Sequence, residues 1–204
     1  MKAILISIRP EWCRKIFQGE KTVEVRKTVP KLEPPFKCYV YCTMGDTLRL
    51  DGHRTKAYRE KFWMGKALNP YSPGRYVGNG YVIGSFICDE IEDYSKWEHD
   101  YSSLLRHINM SAATNDNYTF LNSYLKGEKN GYGLCITKPK LFDEPKELYK
   151  FHAICKKNKQ KPDQSCKGCK YAFVGIADKS GIYCDTIIET PPQSWMYCED
   201  EYDD

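Results

Sequence analysis

The sequence predicts an α+β fold, and three observations carry that prediction. Apolar runs of strand length recur along the chain, helical spacing is confined to short stretches, and glycine or proline separates one kind from the other. Ala3–Ile8 (AILISI) is uniformly apolar and suits a buried strand. Arg9-Pro10 ends it, with Pro10 placed where proline opens a helix. Trp12, Cys13, Ile16 and Phe17 fall on one helical face, Arg14, Lys15 and Gln18 on the other, and Gly19 supplies the left-handed stop. The next strand carries four charges in seven residues, Glu20 to Arg26. A period of two sets Val23 and Val25 on one face and Thr22, Glu24 and Arg26 on the other.

A turn at Pro30, Pro34 and Pro35 leads to a third strand, Phe36–Thr43. Residues 44–80 mix basic side chains with Tyr58, Phe62, Trp63, Tyr71 and Tyr76 without periodicity, and read as an insertion with one short helix near Lys56–Met64. Tyr81–Ile91 returns to strand character, helices are expected at Ser102–Ile108 and Tyr118–Lys126, and Tyr132–Thr137 is a further strand. Pro139–Leu148 reads as an extended connection punctuated by proline. Residues 1–153 therefore form the main domain. Residues 154–204 form a Cys- and Lys-rich extension expected to pack back on it. Within that extension Lys156–Lys170 is an exposed basic loop, Phe173–Ile176 and Ile182–Ile188 are apolar, and PPQSWMYC precedes an acidic tail expected to be frayed.

At 204 residues, 41% hydrophobic and 14% aromatic, the chain can bury a substantial core and does not have a disordered composition. No apolar run approaches the roughly 20 residues needed to cross a bilayer, and no signal pattern opens the chain, so a cytoplasmic setting without a membrane partner is expected. Setting aside the five acids of the last six residues leaves 31 bases against 22 acids, a balance of +9 that favours a polyanionic partner. Of ten cysteines, Cys38, Cys42, Cys88 and Cys135 sit in strand-like runs and read as buried reduced thiols. Cys155, Cys166, Cys169 and Cys184 have the spacing C-x10-C-x2-C-x14-C, which can hold a structural Zn2+, with Cys198 as a substitute ligand and free thiols as the other reading.

The order of these elements is specific enough to compare with a family. A strand ending in Ser7-Ile8-Arg9-Pro10, a short helix, then Gly19-Glu20-Lys21-Thr22-Val23-Glu24-Val25-Arg26-Lys27 resembles the ASCH domain family of the PUA-like superfamily, in its bacterial or phage form. GNGYVIGSF, GYGLCITKPKLFDEP and PPQSW are similar to later segments of that family. The resemblance implies a PUA-like small β-barrel with short flanking helices, whose G-x-K-x-x-E-x-R motif lines a polar cleft for RNA or a nucleotide.

Carried over, the ligand-binding candidates are Lys21, Thr22, Glu24 and Arg26, with Arg9 beside them and Trp195 as a base-stacking residue. Trp63, Tyr71 or Tyr76 can also stack bases, although aromatics in such a loop more often pack beneath it. Arg26 offers a planar fork for phosphate, Lys21 a point charge, and Glu24 an acceptor for amino or ribose hydroxyl groups. Alternation sets Lys21 on the valine face, and its length lets the ammonium reach round.

The alternative is a metal-independent hydrolase, a ribonuclease or an amidohydrolase on a modified nucleoside, with Lys21 and Glu24 as catalytic residues. In amidohydrolase members of the family a threonine nucleophile stands where this chain has Glu24. A protein-interaction module, served by residues 44–80, is the remaining reading. His53, His99, His107 and His152 are scattered and read as structural or exposed.

Overall fold

The computed structural model describes residues 2–44, 47–50, 53–58, 61–64, 76–94, 125, 131–154, 172–174, 182–184 and 186–200. β1 (Lys2–Ile8) leads into α1 (Pro10–Phe17), followed by β2 (Val23–Arg26) and β3 (Phe36–Cys42). The long strands β8 (Val82–Asp93) and β9 (Tyr132–Lys146) come next, and the chain ends with β12 (Trp195–Glu199). These six strands form one sheet in the order β12-β1-β3-β8-β9-β2. Only β1 and β3 run parallel; every other neighbouring pair is antiparallel. A mixed sheet with a helix over it is the expected α+β class.

The predicted boundaries hold closely for the first elements because each has a chemical stop. Pro10 occupies the first turn of α1, and Gly19 takes φ +77° just beyond its end. α1 buries Cys13 and Ile16 and packs Trp12 and Phe17 against the core. That core is built from β1, β3 and β8: Ile4, Leu5, Ile6, Tyr39, Val40, Ile83 and Phe86 are fully enclosed. Gly84 is glycine because a Cβ there meets the Phe17 ring at 2.8 Å and the Lys140 carbonyl. The Pro34–Pro35 peptide in the turn before β3 is cis.

Two expectations are corrected. No helix forms at Lys56–Tyr58: these residues belong to β5 (His53–Tyr58), which pairs with β4 (Thr47–Leu50), and Trp63–Met64 is β6, pairing with β7 (Tyr76–Val77). Cross-strand pairing prevails over local propensity there. The supposed connection after Thr137 is still strand, since Leu141 pairs with Gly84 and Lys146 with Val82; Pro139 is absorbed at an irregularity in the register. PPQSW leads directly into β12, which pairs along β1 from Ile6↔Trp195 to Lys2↔Glu199.

The acidic tail is also anchored where it begins. Tyr39 Oη donates to Asp200 Oδ1 at 2.7 Å, and Lys37 Nζ lies 2.9 Å from the same oxygen. Helices expected at Ser102–Ile108 and Tyr118–Lys126, and the basic loop Lys156–Lys170, lie outside the described residues apart from Leu125, which is helical. β10 (Ala172–Val174) and β11 (Ile182–Cys184) form a separate two-stranded sheet.

Backbone pairing does not close the six strands into a barrel. β2 and β12 end the strand order, and no ladder among the described residues joins them. Side chains cross the gap instead. Arg26 Nη2 donates to the Ser7 carbonyl at 2.6 Å, and Trp195 Nε1 donates to the Thr28 carbonyl at 3.0 Å. A ladder needs strands about 4.8 Å apart, whereas a guanidinium on four bonds of side chain spans a wider opening.

Candidate functional site

The gap between the ends of the sheet holds the charged motif. Lys21, Glu24 and Arg26 are 6%, 7% and 8% exposed, so three ionic side chains from one short segment are taken out of water together. Their heads converge. Arg26 Nη2 lies 3.0 Å from Glu24 Oε1, and Lys21 Nζ lies 3.4 Å from Glu24 Oε2. Lys21 Nζ also donates to the Val23 carbonyl at 2.6 Å, covering a backbone acceptor of its own strand.

This arrangement follows from the local chain. The Gly19 turn reverses direction after α1, and the amides of Glu20 and Lys21 both donate to the Lys15 carbonyl. Lys21 thus starts beside the last turn of the helix, with its ammonium 5.1 Å from the Trp12 ring centroid. Lys15 Nζ stands at the same 5.1 Å from that ring. Cation–π attraction of this kind is worth about 0.5–2 kcal/mol, increasing as the pair is desolvated.

β2 has its faces assigned differently from a surface strand. Val23 is buried and lies against Gly133, while Val25 is only half-buried and Glu24 and Arg26 are enclosed. Charged positions face inward because each has a partner there: the carboxylate has two cations, and the guanidinium has a carboxylate and a carbonyl.

Two atoms remain unmatched. Glu24 Oε2 and Arg26 Nε are buried and make no hydrogen bond among the described residues. The 3.4 Å approach of Lys21 to Oε2 is an ion-pair distance without hydrogen-bond alignment. Burial pushes the Lys21 ammonium below its ordinary 10.5, and the Arg26 and Lys15 charges add to that; Glu24 acts in the opposite direction. The cluster can therefore offer donors to an anion, an acceptor to an amino group, and an amine easier to deprotonate than a surface lysine.

The other expected site residues are not all drawn in. Thr22 precedes β2, is exposed, and uses its carbonyl to accept from Ile136. The alternation that grouped it with Glu24 and Arg26 starts one residue later. Arg9 caps α1 through its carbonyl, which accepts from Trp12 and Cys13, and its side chain is exposed.

Trp195 stands at the gap, but its indole N–H is used on Thr28, at 3.0 Å from the carbonyl and 3.2 Å from Oγ1. Its ring meets Tyr197 edge-on at 5.3 Å. Trp63 and Tyr76 lie in strands whose side chains are outside the description, as does Tyr71 entirely. His152 forms a bridge with Ile187 and contacts Thr186 Oγ1 at 3.1 Å, a structural position.

Sequence reading missed two contributors. Trp12 was assigned only to the helix core, yet it forms the aromatic wall beside Lys21. A tryptophan nine residues before Lys21, with a glycine turn between them, was the available signal. Ser7 joins Arg26 to the C-terminal segment: its carbonyl accepts from Arg26, its amide donates to Ser194 O at 2.9 Å, and its hydroxyl to Pro192 O at 2.6 Å. No sequence signal marks a backbone carbonyl as a partner.

The cysteines divide into two groups. Cys38, Cys42 and Cys88 are buried reduced thiols as expected, and Cys13 and Cys198 are buried as well. Cys135 is only half-buried, because β9 turns that position toward the acidic stretch Asp89–Glu92. Cys155, Cys166 and Cys169 lie outside the described residues, and the side chain of Cys184 is likewise not described. Among the described residues no group of His, Cys, Asp and Glu has metal-holding geometry, and no helix is long and apolar enough to cross a membrane.

No family model matches the chain, and no curated protein does. Among solved structures, the chain is similar to crystal structures of ASCH from Zymomonas mobilis. The match to ASCH has 17% identity and a TM-score of 0.49, covering 98% of this chain and 89% of that one. Two point mutants of the ZmASCH protein match with TM-scores of 0.49 and 0.48, at 17% and 16% identity, covering 98% of this chain and 93% and 89% of theirs.

Proposed function

We propose that this chain is an ASCH-type module that binds RNA or a nucleotide through Lys21, Glu24 and Arg26. The observation that carries the reading is a nine-tenths-buried ionic cluster left incompletely hydrogen-bonded, at Glu24 Oε2 and Arg26 Nε. Unmatched buried polar atoms are costly and uncommon, and they concentrate where a structure is shaped for something besides its own stability. Two cations flank one carboxylate, and a third, Lys15, shares the contact with the Trp12 ring. That local excess of positive charge suits a phosphate. The balance of +9 outside the acidic tail and the G-x-K-x-x-E-x-R resemblance favour the same partner. The setting is cytoplasmic in this reading.

The test is fluorescence anisotropy with labelled single-stranded RNA and with mononucleotides across a salt series. Wild type binds with an affinity that falls as salt rises. Arg26→Lys keeps the charge but removes the fork, and weakens binding by about tenfold. Equal affinity in the variant, or none in wild type, rejects the reading.

One observation favours a second reading, hydrolysis. Lys21 is held below its ordinary pKa beside a carboxylate, which suits an amine that takes or gives a proton. Turnover of RNA or acetylated cytidine that is lost in Lys21→Ala and insensitive to chelator identifies the enzyme. Binding without turnover identifies the binder. The zinc proposal for Cys155, Cys166, Cys169 and Cys184 is tested separately by metal analysis of protein purified without added zinc; less than about half an equivalent rejects it.

A further inference from the structure

We infer that Trp195 and Tyr197 are positioning residues for the Lys21–Glu24–Arg26 site: they moor the segment after Arg26, and ligand enters when that mooring lets go. The inference rests on the binding reading above and adds how the site is reached.

With all three side chains at most 10% exposed, a ligand touches them only if a neighbouring part of the chain moves. Most neighbours cannot move cheaply. β1 lies between two hydrogen-bonded strands, and α1 is fixed by Cys13 and Ile16 in the core. The segment 27–35 between β2 and β3 belongs to no ladder. Val29 and Leu32 pack against the core and return it to place. Two side chains of β12 hold it from the other end of the sheet. Trp195 Nε1 donates to Thr28, and Tyr197 Oη accepts from the Lys31 amide at 2.7 Å. Bonds at such partly exposed positions exchange with water at little net cost, unlike a buried ladder.

The mooring is coupled to the guanidinium itself. Arg26 bonds Ser7 O, Ser7 N bonds Ser194 O, and Trp195 bonds Thr28 O, only two residues from Arg26. These contacts make a closed circuit through the motif, β1 and the C-terminal segment. Releasing Thr28 therefore loosens the chain just beyond Arg26, while the backbone of Arg26 itself stays paired with Tyr132 in β9. Trp195 has its polar edge committed to this circuit, which gives it a mooring role.

The test uses Trp195→Phe and Tyr197→Phe in the full chain, each keeping a ring while removing the bonding group. Stopped-flow binding of single-stranded RNA is expected to show association about fivefold faster in each variant, the population change given by one ordinary hydrogen bond. Hydrogen exchange at the Lys31 amide supplies a readout that folding alone does not move. Protection is lost in free Tyr197→Phe, and in wild type it is lost when RNA is added. An equal or slower association rate in both variants overturns the inference while leaving the binding reading intact, as does a Lys31 amide that stays protected in the wild-type complex. Wild type that binds no RNA overturns both.

Discussion

Arg26 reaches across the open end of the sheet to the carbonyl of Ser7, nineteen residues earlier, at 2.6 Å. Because Glu24 holds the same guanidinium at 3.0 Å, one edge strand is bound to the opposite side of the sheet through charge in place of backbone pairing. Under the proposed function, stability and binding draw on the same three side chains, and mutations can separate the two.

Glu24→Ala leaves two enclosed cations without their counter-charge, and is expected to cost about 3–5 kcal/mol, the range for breaking a buried ion pair. The triple variant Lys21→Met, Glu24→Leu, Arg26→Met removes all the charge at once and retains stability close to wild type, because no ion is left buried alone. Urea unfolding measures both, and the triple variant binds no RNA. A triple variant that unfolds as easily as Glu24→Ala contradicts this account.

Alkaline pH is expected to unfold the protein through its thiols. Burial raises Cys13 and Cys38 well above their ordinary 9.0, and burial with nearby carboxylates takes Cys88 and Cys135 up to about 12, although backbone hydrogen bonds oppose the rise at Cys88. Unfolded thiols ionise near 9 while folded ones stay protonated, so the folded state holds more protons and stability falls from about pH 9 toward 12. Lys21 works in the opposite direction, since its lowered value makes the unfolded state the more protonated one up to 10.5. Four thiols outweigh one amine. The urea midpoint should drop as pH is raised past 9, with a shallower slope in Cys88→Ala.

The Asp200 anchor has an acid signature. Burial acts to raise its carboxyl, but hydrogen bonds from Lys37 and Tyr39, with the Lys37 charge, hold it below the ordinary 3.8. A depressed carboxylate stabilises the fold above its unfolded value and loses that contribution as pH falls through its folded value. Wild type is thus expected to melt higher than Asp200→Asn at pH 6, with the difference closing below pH 3.8. Thermal melts across that range measure it; a difference independent of pH points to packing alone.

Gly84→Ala and Gly19→Ala test two different reasons for glycine. A Cβ at Gly84 meets Phe17 ring atoms at 2.8 and 2.9 Å and a backbone carbonyl, so overpacking of about 1–3 kcal/mol is expected. Gly19 has open space around it but a φ of +77°, so its cost is the left-handed conformation, about 1–2 kcal/mol. Combining Gly84→Ala with Phe17→Leu recovers part of the first loss and none of the second.

Periodicity and punctuation were enough for β1, α1, β2 and β3, because their boundaries rest on contacts between near neighbours: Pro10 and Gly19 around the helix, and the apolar run of β1. The strands at His53–Tyr58 and Leu141–Lys146, and β12 after PPQSW, were not legible. Each exists because a distant partner supplies its hydrogen bonds, and pairing of that kind leaves no periodic trace in a short, mixed stretch. The inward turn of Glu24 and Arg26 was hidden for the same reason. Alternation tells which residues share a face, but not which face is covered.

The sequence by itself determined which side chains belong to the motif, where the helix beside it begins and ends, and how the charge of the chain is distributed. Tertiary structure alone decided that the motif is enclosed, that Trp12 forms its wall, and that Ser7 and Trp195 join it to the C-terminal segment. The physical reason is range: helix stops and strand alternation are written in neighbouring residues, whereas burial and partner choice depend on atoms that meet only when the two ends of the sheet are brought together.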